Sequence, residues 1–409
     1  MKKIFYFLLP LLFAAFCFSE EAFSAAAVKN VSAPAVAQAK PPAKFEVSGW
    51  IPYWRKMAGV EEAIKHMDVF TELSPFNYAV KDDGTLLDLM KIKESPWTEL
   101  FAAAREKKVR IIPTVSWANT AAIEKILKSK TLRAAHIRAI VEMVKENNFD
   151  GVDIDYESKT AATRPYFSAF LRELYAAMGK KFVVCTIEPR TPLTARFDKI
   201  PKDIEYANDY DVINGNCDRV RVMTYDQGAI DLRLNKENLG PYIPVSDPRW
   251  VEKVIELAAK NISRKKLVVG IPTYGYEYEA VKLKDDGYRY NLLWAFNPKY
   301  ALDLASQLQV SPVRNSAGEI SFMYVPSTPA VPSSMSPDIT LSHSTWIATT
   351  TFSGISSSTA VGSSFRILWW SDPIAVIGKM VVAKSLGVRG VAVFKIDGAG
   401  DGKVWEYFK

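Results

Sequence analysis

The densest chemistry in the chain lies in Phe149-Asp150-Gly151-Val152-Asp153-Ile154-Asp155-Tyr156-Glu157. Read as a β-strand, these residues sort by parity. Asp153, Asp155 and Glu157 share one face, while Val152, Ile154 and Tyr156 share the other and can pack under neighbouring helices. Three carboxylates on an inward face repel one another and lose solvation, which disfavours ionisation. Such crowding raises the proton affinity of one of them, and a carboxyl kept neutral near working pH can protonate a leaving group. Glu157 comes last on the strand and reaches furthest, so it is the expected acid. A solvated edge strand would explain the acids less well, because the flanking residues alternate with apolar ones. Three acids can also hold a hard cation, but residues of a single strand surround an ion poorly. The three histidines, His66, His136 and His343, show no ligand spacing, so neither metal nor cofactor is expected.

Two further motifs accompany the acidic strand: Val222-Met223-Thr224-Tyr225-Asp226 and Gly270-Ile271-Pro272-Thr273-Tyr274-Gly275. With Asp150, Asp153, Asp155 and Glu157 spaced as Asp-x-x-Asp-x-Asp-x-Glu, the chain resembles family 18 glycoside hydrolases, the chitinase-like family, from about Phe45 to the C-terminus. The resemblance implies a retaining, substrate-assisted hydrolysis of β-1,4-linked N-acetylglucosamine glycans of chitin or peptidoglycan type. In that mechanism the sugar's acetamido group replaces an enzyme nucleophile. It implies that Glu157 is general acid and base, and that Asp155 orients the acetamido nitrogen and steadies the cationic intermediate. Asp153 would share a proton with Asp155, and Tyr225 would bind the acetamido carbonyl beside Met223 and Asp226. The alternative on the same frame is a chitinase-like glycan-binding protein without activity. Such proteins commonly lose the terminal glutamate, which this chain keeps.

Aromatic residues recur near expected strand ends. Trp50, Tyr53, Trp54, Trp117, Tyr274 and Phe394 are the candidates to stack on the apolar faces of sugars, and core packing is the competing role for each ring. Two places depart from the family pattern. The third strand region reads Pro113-Thr114-Val115-Ser116-Trp117-Ala118-Asn119 instead of a Ser-rich Gly-Gly motif, and Phe394 stands where a tryptophan is usual. Arg219 and Arg221 share parity with Met223 and Tyr225, so one of them is expected to enter the barrel and meet the acids. These features resemble the branch containing cell-wall and spore-cortex hydrolases more than secreted chitinases.

The elements that must position these residues form an alternation. Val47–Trp54, Val69–Tyr78, Val109–Val115, Gly151–Tyr156, Phe182–Ile187, Val220–Tyr225, Leu267–Thr273 and Gly390–Ile396 read as strands bounded by Gly, Pro, Asn or Asp. Helical patterns lie between them. Ile137, Ile140, Val141 and Val144 mark one helix face, and Asp247-Pro248 and Asp372-Pro373 combine a capping residue with a first-turn proline. Repeated βαβ units predict an α/β fold closed as a (β/α)₈ TIM barrel. A small α+β insertion at 279–368 is expected between strands seven and eight, with helical Pro298–Leu308, strands Ile320–Val325 and Phe365–Trp370, and a Ser/Thr/Pro-rich loop at 326–364.

The chain has 409 residues, 48% of them hydrophobic, which is ample for a large core. Residues 1–25 read as a secretory signal, with Lys2 and Lys3 ahead of an apolar run to Phe18, and 26–44 as an Ala/Pro-rich linker. The expected location is therefore secreted, periplasmic or within the cell envelope, with no integral membrane segment after signal removal and a monomeric body. A net charge of +7 suits solubility or an anionic cell wall, and no basic stripe points to nucleic acid. Cys185 and Cys217 either pair or remain buried thiols.

Overall fold

The computed structural model describes residues 45–238, 240–284, 286–326, 364–398, 400 and 402–408. The expected signal, the linker and almost all of the loop at 326–364 lie outside the described residues.

Eight parallel strands close a barrel: Glu46–Pro52, Glu72–Val80, Thr114–Trp117, Gly151–Tyr156, Phe182–Ile187, Arg219–Val222, Leu267–Pro272 and Gly390–Phe394. Closure comes from the first strand, which pairs with both the second and the eighth. The third expected run is split, since Arg110–Ile111 pairs with strand two separately from Thr114–Trp117. Strand six is shorter than expected and ends at Val222, leaving Tyr225 and Asp226 on the turn beyond it. Asp226 there takes a φ of 59°, a left-handed conformation that aspartate tolerates better than most residues.

Outward residues of each strand pack under helices in one continuous core that includes Val152, Ile154 and Tyr156. The helix before strand four, Lys130–Glu146, buries Ile137, Ile140 and Val144 as their spacing predicts. Asp247 and Asp372 cap the helices Pro248–Ala258 and Pro373–Ser385 by accepting from the Arg249 and Ala375 amides at 2.8 and 3.0 Å. Cys185 on strand five and Cys217 just before strand six are joined as a disulfide, which settles the alternative between pairing and free thiols.

The barrel interior is polar toward its amino-terminal end. Glu46 receives Arg219, Arg389 and Arg110 at 2.5, 2.7 and 3.1 Å. Burial opposes its ionisation, but the hydrogen bonds from Arg219 and Arg389 win and hold its pKa at about 2.

Among the described residues, the insertion is a five-stranded antiparallel sheet with one helix, Pro298–Gln307. Its strands are Gly275–Lys282, Tyr288–Phe296, Val313–Arg314, Ile320–Tyr324 and Phe365–Trp370. The sheet therefore begins at Gly275, not at 279. A Cβ at Gly275 would lie 2.3 Å from that of Trp370, so only glycine lets the first strand pair there directly off the barrel. Glu319 pins the sheet down: its buried carboxylate accepts from the Val245 and Ser246 amides, the Trp369 indole and Lys379 of the last helix.

Candidate active site

Strand four has the parity read from its sequence, with Asp153 and Asp155 buried inside the barrel. Asp153 is the most heavily engaged of the acids. Its Oδ2 accepts from the Trp50 indole at 2.9 Å, the Thr114 hydroxyl at 2.8 Å and Arg221 at 3.0 Å, and its Oδ1 from the Thr186 hydroxyl at 2.7 Å. Arg221 is itself wholly buried, donating also to Ser74 and Glu72 and lying 4.8 Å from the centroid of the Trp50 ring. The expectation that one strand-six arginine enters the barrel to meet the acids is met by Arg221. No hydrogen bond joins Asp153 to Asp155 among the described residues, and Asp153 is engaged instead by four donors, one of them a guanidinium.

Asp155 and Glu157 are in the opposite condition. The Oδ1 of Asp155 is buried without a hydrogen-bond partner among the described residues, and the Glu157 carboxyl makes no hydrogen bond there either. Burial, then the charges of Glu157, Asp153 and Glu188, raise Asp155 well above the usual carboxylate range. Glu157 is pushed up to about 8, by burial first and then by Glu188, with Asp226 adding to the rise and Lys159 opposing it. Desolvation leads the rise at both acids, and Glu188 is the strongest charged contributor at Glu157.

Tyr225 lies beside these acids. Its hydroxyl makes no hydrogen bond among the described residues, and burial followed by the charge of Asp155 keeps it protonated. Asp226 accepts from the Tyr274 and Tyr276 hydroxyls at 2.5 and 2.6 Å, so the first strand of the insertion is tied directly to the strand-six turn. Half-buried Met223 packs against the core on the same turn.

The aromatic candidates divide. Phe394 is the centre of a floor, with Tyr225 stacked at 5.4 Å and Trp50 and Tyr274 edge-on at 5.9 Å. Tyr53 and Trp54 stand on the turn after strand one, partly exposed, and join the same cluster. Trp50 is only 1% exposed and its indole N–H is committed to Asp153, which makes it a support beneath the site instead of a sugar-facing ring. Trp117 is a second correction. It is 3% exposed and packs in the helix layer against His136 and Tyr156 at 5.3 and 5.4 Å. Strand three ends with the opposite parity from the one a sugar-facing tryptophan requires.

A family model described as "Glycosyl hydrolases family 18" matches residues 67–399, most of the chain. The chain belongs to glycoside hydrolase family 18. Among relatives of this family member, the "Uncharacterized glycosylase YvbX" of Bacillus subtilis is 24% identical over 54% of this chain and 62% of its own length. The "Putative sporulation-specific glycosylase YdhD" of the same organism is 27% identical over 39% of this chain and 35% of its own. The chain thus spans less than two thirds of either relative. Its fold is that of the Bacillus cereus spore cortex-lytic enzyme SleL, with TM-score 0.64, 18% identity, and coverage of 90% of this chain and 74% of that one. A chitinase from Chromobacterium violaceum gives TM-score 0.64 at 14% identity, covering 89% and 98%.

Within this family 18 frame, Glu188, Lys159 and Asn208 escaped the sequence reading. Glu188 follows strand five immediately, at the parity of Thr186, and that position was the available signal. Asn208 and Lys159 lie on loops whose return to the site no periodicity announces. Among the described residues, no group of three His, Cys, Asp or Glu side chains is arranged to hold a metal ion.

Proposed function

We propose that this family member is a retaining β-N-acetylglucosaminidase acting on chitin- or peptidoglycan-type glycans by substrate assistance. The observation that carries the reading is the buried Oδ1 of Asp155, left without a donor between a neutral acid, Glu157, and the hydroxyl of Tyr225. Buried polar atoms are ordinarily satisfied, and an acetamido group supplies what is missing: an N–H for Asp155 and a carbonyl for Tyr225. Glu157 then delivers its proton to the glycosidic oxygen while the acetamido oxygen attacks the anomeric carbon. The resulting oxazolinium ion carries positive charge beside Asp155 and favours that residue's ionised form. Glu157, now a carboxylate, takes a proton from the water that opens the ring, and the configuration at the anomeric carbon is retained. Phe394 offers its face beneath the reacting sugar.

The disulfide between Cys185 and Cys217 and the basic net charge agree with action outside the cytosol on an anionic wall. The test compares two chromogenic disaccharides, one bearing 2-acetamido groups and one bearing 2-hydroxyls. Hydrolysis confined to the first is expected. Equal hydrolysis of both removes substrate assistance, and binding of the first without turnover makes the protein a lectin-like relative.

A further inference from the structure

The pairing of strands four and five places a second glutamate beside the general acid. Ile154 is in register with Cys185, and three residues further along each chain stand Glu157 and Glu188. Both lie at the carboxyl ends of their strands, where barrel enzymes carry out their chemistry. Glu188 shares the inward parity of Thr186, whose hydroxyl reaches Asp153.

Two groups hold Glu188 in place. Asn208 donates to its Oε2 at 2.6 Å, and the amine of Lys159 lies 3.5 Å from its Oε1. Lys159 sits two residues after Glu157, its side chain only 1% exposed and its amine 4.8 Å from the centroid of the Phe167 ring. That amine makes no hydrogen bond among the described residues. Burying a long cationic side chain beside a catalytic carboxyl is costly, and an ion pair serving only to fasten the rim would be cheaper in solvent. Glu157 is faced by Asp155 from its own strand, by Lys159 from the following loop, by Glu188 from strand five, and by Tyr225 and Asp226 from the turn after strand six.

We propose that Glu188, clamped by Lys159 and Asn208, is a positioning residue for the reaction, its charge keeping the proton on Glu157 until a glycosidic oxygen accepts it, with Lys159 as the counterweight. The proposal rests on the reading of Glu157 as general acid. The direction of the charge effects on Glu157, upward from Glu188 and downward from Lys159, agrees with this placement.

The experiment measures kcat/KM of the full chain on a chromogenic chito-oligosaccharide from about pH 5 to about pH 10, where the alkaline limb reports the acid. Glu188→Gln is expected to move that limb down by about one pH unit, and Lys159→Met to move it up by a similar amount. Opposite displacements support the proposal. A uniform drop in rate with both limbs unmoved is what a purely structural pair would give, and overturns it. If Glu188→Gln does not fold, as read by its thermal midpoint, an unmoved limb in Lys159→Met overturns the proposal by itself. A parent without hydrolysis would count against Glu157 as general acid. The inference is then decided by the carboxyl carbon resonance of Glu157, identified by its loss in Glu157→Gln, which must titrate lower in Glu188→Gln than in the parent.

Discussion

Asp153 and Arg221 meet at 3.0 Å inside the barrel, one from strand four and the other from strand six. The pair gives the acidic row its order. Asp153, at the buried end, is committed to a guanidinium and three neutral donors, while Asp155 and Glu157 beyond it retain unfilled oxygens. Removing the cation is therefore expected to be expensive. Arg221→Met leaves both Asp153 and Glu72 buried without it and should cost about 3–5 kcal/mol in urea unfolding. Adding Asp153→Asn should recover part of that loss, and a double variant no more stable than the single one would show that the pair is not the source.

In the proposed mechanism Glu157→Gln removes the proton that is delivered to the leaving group. Turnover of a chromogenic chito-oligosaccharide should fall by about 10²–10⁴-fold, with glycan binding preserved. Turnover near the parent rate would assign the acid elsewhere.

The same substitution changes how stability responds to pH. The folded carboxyl titrates at about 8 against a reference of 4.5, so between these values the folded state holds a proton that the unfolded chain releases. Its contribution is complete below the lower value and disappears as pH climbs through the upper one. Thermal midpoints of the parent should therefore drop more steeply than those of Glu157→Gln between about pH 5 and pH 9. Parallel slopes would mean that Glu157 is not held protonated.

Phe394 and Trp117 separate floor from core. Phe394→Ala should raise KM roughly tenfold through loss of a stacking face. Trp117→Leu should instead lower stability by about 2–4 kcal/mol with KM where it was, because the ring fills the helix layer. A KM effect at Trp117 matching that at Phe394 would restore it to the sugar side.

The bridge from Cys185 to Cys217 closes a loop with a sequence separation of 32 residues, for which chain entropy gives about 3–4 kcal/mol. Melting with and without reductant, set against Cys185→Ala, measures it. Identical midpoints in all three would place the stabilisation elsewhere.

The barrel and its acids were legible because both are periodic. Alternation along Gly151–Tyr156 gave the inward face, and the eight apolar runs marked the strands, whose observed limits match those of Gly151–Tyr156 and Phe182–Ile187 residue for residue. Trp117 escaped because proximity to a strand end does not say which face a ring takes, and burial against His136 and Tyr156 decided it. The start of the insertion escaped because Tyr274-Gly275-Tyr276 reads equally well as barrel rim or as new strand.

By itself the sequence determined a closed α/β frame and the parity of its acidic strand, since both follow from local alternation and residue type. Only the tertiary structure decided which acid meets a guanidinium and which is left buried without a donor. Arg221, Glu188 and Lys159 reach the acids from other strands and loops, and the proton affinity of a buried carboxyl is set by charges near it in space, whatever their distance along the chain.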